Sequence, residues 1–287
     1  MNDFYSDTKT KPSHAMLEYA LGRTFGDEQQ DEDPTTLELC ERVAHLLGKE
    51  NAVFLPSGTM CNEIAIAVQT SPGDEIICGR SSHIVNFEGG APAAMSGVMI
   101  RPLDGKYGQF TEEDVRQALR PESRYMPISR MLCAEQTANL GGGAVWQLEK
   151  LNSVAQMAKN SGLSTHLDGA RLLNACVKTG ISAAHYSREY DSCWIDFTKG
   201  LGAPMGAVLS GSAEFIQAAW RVKQRIGGAM RQSGVIASYC LYALENNVER
   251  LAEDHALASK ISESLQDFSG IANLLPVETN IIIADLA

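Results

Sequence analysis

No apolar run in this chain approaches the roughly 20 residues a helix needs to cross a bilayer. The N-terminus, with Asp3, Asp7 and Lys9 among its first ten residues, also lacks the apolar core of a secretory signal. A cytoplasmic protein with no membrane partner is the expectation. Basic residues are in deficit: 24 Lys and Arg against 35 Asp and Glu leave a formal charge of −11. That balance argues against a broad nucleic-acid or anionic-membrane surface. The seven cysteines form no CxxC pair and no Cys/His cluster at zinc spacing, so neither a disulfide framework nor a metal site is expected. Most lie in apolar settings such as EIICGR and RMLCAEQ and read as buried, reduced packing residues.

Repeats, low-complexity tracts and Pro/Ser-rich linkers are missing too. What remains is a chain of 287 residues, 44% hydrophobic, long enough for one large domain or a large domain plus a small one. Asp33 as N-cap, Pro34 in the first turn and Gly48 as stop predict a helix whose apolar face is Leu37, Cys40, Val43, Ala44 and Leu47. Beyond it, short apolar strands alternate with helical patterns. The expected strands are Ala52–Leu55, Glu75–Cys78, Gly97–Pro102, Arg130–Ala134, Ser164–Leu167, Cys193–Phe197 and Ala207–Ser210, with helices such as Thr111–Leu119 and Gln147–Asn160 between them. This pattern predicts an α/β fold around a mostly parallel sheet covered on both faces, made mixed if the last two strands pair as a hairpin-like return. From Gln232 a long helical stretch runs toward Leu265, followed by a strand at Asn280–Ala284. Residues 1–248 would then be the large domain and residues 249–287 part of a small α/β domain, cut short after its first strand. The polar stretch Asp27–Asp33 reads by composition as a solvated loop.

Three strand-end motifs carry chemistry. In LPSGTM, Ser57, Gly58 and Thr59 leave a strand and open a helix, where free N–H groups and hydroxyls suit a phosphate. An ordinary helix cap would explain the same residues. In THLDGAR, Asp168 ends an apolar strand, where a carboxylate needs a partner. A protonated pyridine nitrogen would serve, and a helix-capping role is the alternative. In CWIDFTKGLGAPMG, Lys199 follows an apolar strand into a glycine-rich turn, and a desolvated lysine there is the kind of amine imine chemistry uses. A surface lysine in a turn is the plain alternative. A phosphate cradle, an Asp and a Lys that each leave a strand of one sheet together suit pyridoxal phosphate.

The motifs YSDTKTKPSHAM, FGDEQQDEDPT, LPSGTMCNEIA, SSHIVNFEGG, HLDGARLLNA, FTKGLGAPMGAVL and GGAMRQSG occur in the order seen in L-threonine aldolases, and the chain resembles that family from about residue 3 to 260. The resemblance implies the aspartate-aminotransferase-like fold of the threonine aldolase/β-eliminating lyase group. It implies pyridoxal 5'-phosphate held as a Schiff base on Lys199, with Asp168 on the pyridine nitrogen. Ser57, Gly58 and Thr59 would hold the phosphate, helped by Arg231 of a neighbouring copy in a dimer or homotetramer with shared sites. His83, which by periodicity alone reads as a satisfied core histidine, would stack on the cofactor ring. Ser6 and Arg171 would bind the carboxylate of a small β-hydroxy amino acid, and the acidic loop would approach the site.

The departures from the family fall on the substrate side. Gln30 stands where the acidic loop commonly has Tyr, Tyr125 where a substrate-side His is usual, Ala138 where another His follows the strand, and Gln224 where a phosphate-directed Lys is frequent. The chain also ends before the region that normally supplies a second carboxylate-binding Arg. The expected activity is retro-aldol cleavage of a threonine-like amino acid to glycine and an aldehyde, with His83 or a water it positions as base. β-Elimination, racemisation and a cofactor-binding paralogue with little activity remain open at this point.

Overall fold

The computed structural model describes residues 3–287. Seven strands form one sheet: β1 (Asn51–Leu55), β2 (Glu75–Gly79), β3 (Met99–Leu103), β4 (Ser129–Glu135), β5 (Ser164–Asp168), β6 (Ser192–Asp196) and β7 (Ala207–Gly211), in the order β1-β7-β6-β5-β4-β2-β3. Each coincides with an expected strand. Only β7 runs against its neighbours, pairing antiparallel with both β1 and β6, so the sheet is mixed in the way the hairpin-like return suggested. The other strands point the same way, and their C-terminal ends form one edge of the molecule.

Helices cover both faces. One layer, including Pro34–Leu47, Leu148–Asn160 and Gly234–Asn246, packs with Phe54, Leu132, Trp146 and Ile195 into the main core. On the opposite face Gly58–Gln69 and Ala213–Arg225 bury Cys61, Ile64, Ile216 and Val222 against Val53, Trp194 and Leu209. Strands buried on both sides explain why β2 and β6 read as near-continuous apolar runs. All seven cysteines are free, and Cys61, Cys78, Cys133, Cys193 and Cys240 are buried.

The first helix starts and stops where its signals place it. Asp33 Oδ1 accepts from Thr36 N at 2.9 Å, and Gly48 closes the end in a left-handed conformation. Its buried face differs from the expected one: Leu37 is exposed, whereas Thr36, Leu39, Val43 and Leu47 are buried. Asp33 Oδ2 also accepts from Gly26 N and from Gly234 N, tying the first turn to the start of the Gly234–Asn246 helix.

Three further expectations need correction. Asp27–Asp33 is not simply a solvated loop, because Glu28 and Asp33 are buried. Glu28 takes hydrogen bonds from Lys223 and from Met230 N, and Lys223 also donates to the Phe54 carbonyl of β1. The stretch from Gln232 to Leu265 is two helices, Gly234–Asn246 and Leu251–Leu265, because the chain turns at 247–250, where Asn247 donates its side chain to the Leu201 carbonyl. Asn280–Ile283 is not a strand. The pairing strands are β8 (Ile271–Leu274) and β9 (Ala284–Leu286), antiparallel to each other, while Thr279 and Asn280 bond back to Gly143 O and to Asp7 and Asn174.

Lys223 is fully buried, and desolvation lowers its pKa despite the carboxylate of Glu28 beside it. Replacing Lys223 by Met strands Glu28 in the interior and should cost about 3–5 kcal/mol in denaturant unfolding. The Lys223→Met/Glu28→Met double variant should recover part of that loss. A single-variant cost no larger than that of a surface change would show that the pair does not hold this edge.

Candidate active site

The C-terminal edge of the parallel strands gathers most of the residues expected to act. Ser57 leaves β1 and caps the Gly58–Gln69 helix, accepting from Met60 N at 3.3 Å. Gly58 is required by space, because a Cβ there would overlap the indole ring of Trp194 on β6. The first-turn N–H groups of this helix, which have no intrahelical partner, lie at the edge of the sheet where a phosphate can be held.

Asp168 ends β5 and is 1% exposed. Its Oδ2 accepts from Asn62 Nδ2 at 2.9 Å and its Oδ1 from Ala170 N at 3.1 Å. Burial pushes its pKa up, and the nearby Glu88 carboxylate adds to that, against the Asn62 hydrogen bond and His83. Such a carboxylate gains from a cationic partner, which is what a protonated pyridine provides. Glu135, at the end of the adjacent β4, is also pushed up by burial and by Asp168. The edge therefore holds more buried acid than base, and a cationic ring would balance it.

His83 opens the short His83–Asn86 helix after β2, about one-third exposed, so it is not a core histidine. Its Nδ1 meets Glu88 Oε1 at 2.8 Å, while its backbone N–H donates to Glu135 at 3.3 Å. Burial alone would lower its pKa, but Glu88, Asp168 and Glu135 together outweigh that and raise it above the usual 6.5.

Lys199 follows β6, and its ammonium pairs with Asp196, whose other oxygen accepts from Thr198. The ammonium also lies 5.9 Å from the Trp194 ring centroid. Arg171, 8% exposed, forms a two-pronged pair with Asp7 at 2.7 Å through Nε and Nη2. Ser6 precedes Asp7 and caps the turn that carries it. Ser6, Asp7, Asn139, Arg171 and Asn280 line a cavity of ≈ 780 Å³ beside this edge.

Three expected residues lie elsewhere within the chain. Tyr125 is 88% exposed and precedes β4, at the opposite end of that strand from Glu135. Gln30 is exposed, and Arg231 pairs on the surface with Asp27 at 2.8 Å. Sequence reasoning missed Asn62, Glu63, Glu88, Asp196 and Asp7. Asp196, three residues before Lys199, carried a usable signal, whereas Asp7 carried none, because Arg171 is distant in the chain. Asn62 and Glu63 carried none, since they read as polar positions of an ordinary helix.

The residues present fit pyridoxal phosphate: a buried carboxylate in need of a cation, a helix N-terminus cleared by glycine, and an amine that leaves a strand at the same edge of the sheet. Gly58→Ala should push the first helical turn off Trp194 and weaken retention of the cofactor. Visible absorbance remaining after dialysis measures this. Retention equal to wild type would show that the Gly58–Trp194 contact does not set the cradle.

Comparison with known proteins agrees with this geometry. The family model described as beta-eliminating lyase matches residues 3–287. The chain is 37% identical to low-specificity L-threonine aldolase 1 of Arabidopsis thaliana, over 99% of this chain and 81% of that protein. It is 36% identical to the low specificity L-threonine aldolase of Escherichia coli K12, over 98% and 84% respectively. The structure of Leishmania major threonine aldolase superposes with a TM-score of 0.85 at 22% identity, covering 98% of this chain and 83% of that one, and so supports the fold. The chain belongs to the threonine aldolase group of the beta-eliminating lyase family, whose members are enzymes that use pyridoxal 5'-phosphate.

Proposed function

We propose that this protein cleaves a β-hydroxy-α-amino acid such as threonine to glycine and an aldehyde by a retro-aldol reaction. The observation that carries this is His83. Its ring is held through Nδ1 by Glu88, beside Asp168, and its Nε2 makes no hydrogen bond to the protein among the described residues. That nitrogen is the acceptor a β-hydroxyl proton requires. The names of the curated relatives support the same reaction class.

Pyridoxal phosphate, when bound, supplies the electron sink for the electron pair freed at the substrate's Cα. Lys199 would anchor it, with Asp196 available to take the lysine ammonium when the substrate amine displaces it. Asp168, fixed by Asn62, would keep a proton on the ring nitrogen. Ser57, Gly58 and Thr59 would hold the phosphate.

Arg171 keeps Nη1 uncommitted while Asp7 holds Nε and Nη2, so the guanidinium is pre-aimed and can still bind a carboxylate together with Ser6. Orienting that carboxylate would let Arg171 and Ser6 select which Cα bond breaks. Arg231, Gln30 and Tyr125, exposed here, would complete the site of a neighbouring copy in a dimer or tetramer. We also assign residues 249–287 to a small unit distinct from 1–248, on the strength of its own two-stranded sheet. No helix among the described residues is long and apolar enough to cross a membrane. The seven unpaired cysteines favour a reducing compartment such as the cytoplasm.

Incubation with threonine or phenylserine should give glycine plus acetaldehyde or benzaldehyde, and Lys199→Ala should abolish turnover. Pyruvate and ammonia from serine, with no glycine from threonine, would replace this reading by β-elimination. Arg171→Lys keeps the charge but loses the fork, and should raise KM for threonine by roughly 10–100-fold. kcat/KM should fall as pH drops through the raised pKa of His83, because the protonated ring cannot accept a proton. A pH-independent kcat/KM across that range would remove His83 as the base.

A further inference from the structure

Glu63 has no place in the chemistry described so far. It follows Asn62 in the Gly58–Gln69 helix and is 2% exposed, and no Lys or Arg pairs with it among the described residues. Its neighbour is Glu88, whose side chain is fully buried and whose only ionic partner there is His83. Glu88 Oε1 is saturated, accepting from Asn62 Nδ2 at 2.6 Å and from His83 Nδ1 at 2.8 Å. Glu88 Oε2 and both oxygens of Glu63 are buried with no donor. Two ionised carboxylates in that position would repel each other and forgo all hydration. One proton shared between them removes both penalties, because a neutral acid can donate a charge-assisted hydrogen bond to the remaining anion.

We propose that Glu63 is a positioning residue: a neutral carboxylic acid that donates its O–H to Glu88 Oε2, keeps Glu88 an anion, and thereby commits His83 to donate from Nδ1 and leave Nε2 toward the substrate. Burial and the contact with Glu88 both raise the Glu63 pKa, as this arrangement requires. The other carboxylates facing the trio are Asp168, which shares Asn62 Nδ2 with Glu88, and Glu135, which accepts from the His83 backbone, and the nearby buried thiols of Cys61, Cys78 and Cys133 are held neutral by burial. All are acids, so none can supply the missing cation. His166 is also near, through Asn62 Oδ1, but burial pushes it down to about 3 and it stays neutral.

The kinetic consequence rests on the retro-aldol reading, whereas the hydrogen-bond arrangement is independent of it. Two substitutions separate the possibilities. In Glu63→Gln the amide still donates to Glu88. In Glu63→Leu nothing does, so the Glu88 anion is less stable and the His83–Glu88 pair takes its next proton at higher pH.

Wild-type-minus-variant infrared difference spectra of the cofactor-free proteins at neutral pH should show a protonated-carboxyl stretch for both variants, the contribution of the raised Glu135 cancelling because all three proteins share it. Glu63→Leu should move the His83 titration, read by NMR on cofactor-free protein, upward by about one pH unit, and the acid limb of kcat/KM in the holoenzyme with it. Glu63→Gln should keep both near wild type. Absence of that difference band overturns the proposal, and so does an unchanged His83 titration in Glu63→Leu. Should Glu63→Leu fail to fold, the infrared band and the Glu63→Gln titration decide. No aldol turnover in any of the three proteins, with the band and titrations as expected, would overturn the retro-aldol reading and still support the role of Glu63.

Discussion

The Asn62 side chain is the point on which the site depends. Its Oδ1 accepts from Trp194 Nε1 at 2.8 Å and from His166 Nε2 at 3.0 Å, and its Nδ2 donates to Asp168 and to Glu88. With both ends used, the amide has one orientation. His166 is held in turn, because its Nδ1 meets Ser192 Oγ at 2.8 Å and Gln69 donates to that same hydroxyl. A neutral buried network therefore runs from β6 and β5 through one helix to two carboxylates. In a low-dielectric interior such a network is strong when complete and costly when broken.

From Asn62 the constraint divides. One arm fixes Asp168, and so the place where a ring nitrogen can be held. The other fixes Glu88, and through it the ring of His83. Trp194, which donates to Asn62, also fills the space that makes Gly58 necessary. The residues proposed to hold the ring and the phosphate, and the proposed base, are thus referred to a single amide. The separation between parts that must hold the cofactor and parts that select substrate follows from this: Arg171 and Asp7 stand outside the network, on a cavity partly built by the N-terminal segment and by residues 280–282.

The strands were legible because burial on both faces forces uninterrupted apolar runs, and the first helix because Asp33, Pro34 and Gly48 mark its ends. The reading failed where a tertiary partner overrode local pattern. Leu37 is exposed while Thr36, bonded to Ser233 across the structure, takes a buried place. Glu28, polar in a polar stretch, is buried because Lys223, far away in the chain, reaches it. Asn280–Ala284 has strand composition, yet Asn280 is drawn to Asp7 and Asn174 instead of pairing in a sheet.

The sequence by itself determined the fold class and pointed to the cofactor, because strand-end residues such as Lys199, Asp168 and Ser57 are set by local chain direction at the edge of a parallel sheet, and the order of its motifs carried the family. Only the tertiary structure decided which distant side chains answer one another: Asp7 with Arg171, Asn62 between Asp168 and Glu88, and Glu63 against Glu88. The reason is physical. A buried polar group must find its partner in space, and that partner's position along the chain carries no trace of the match.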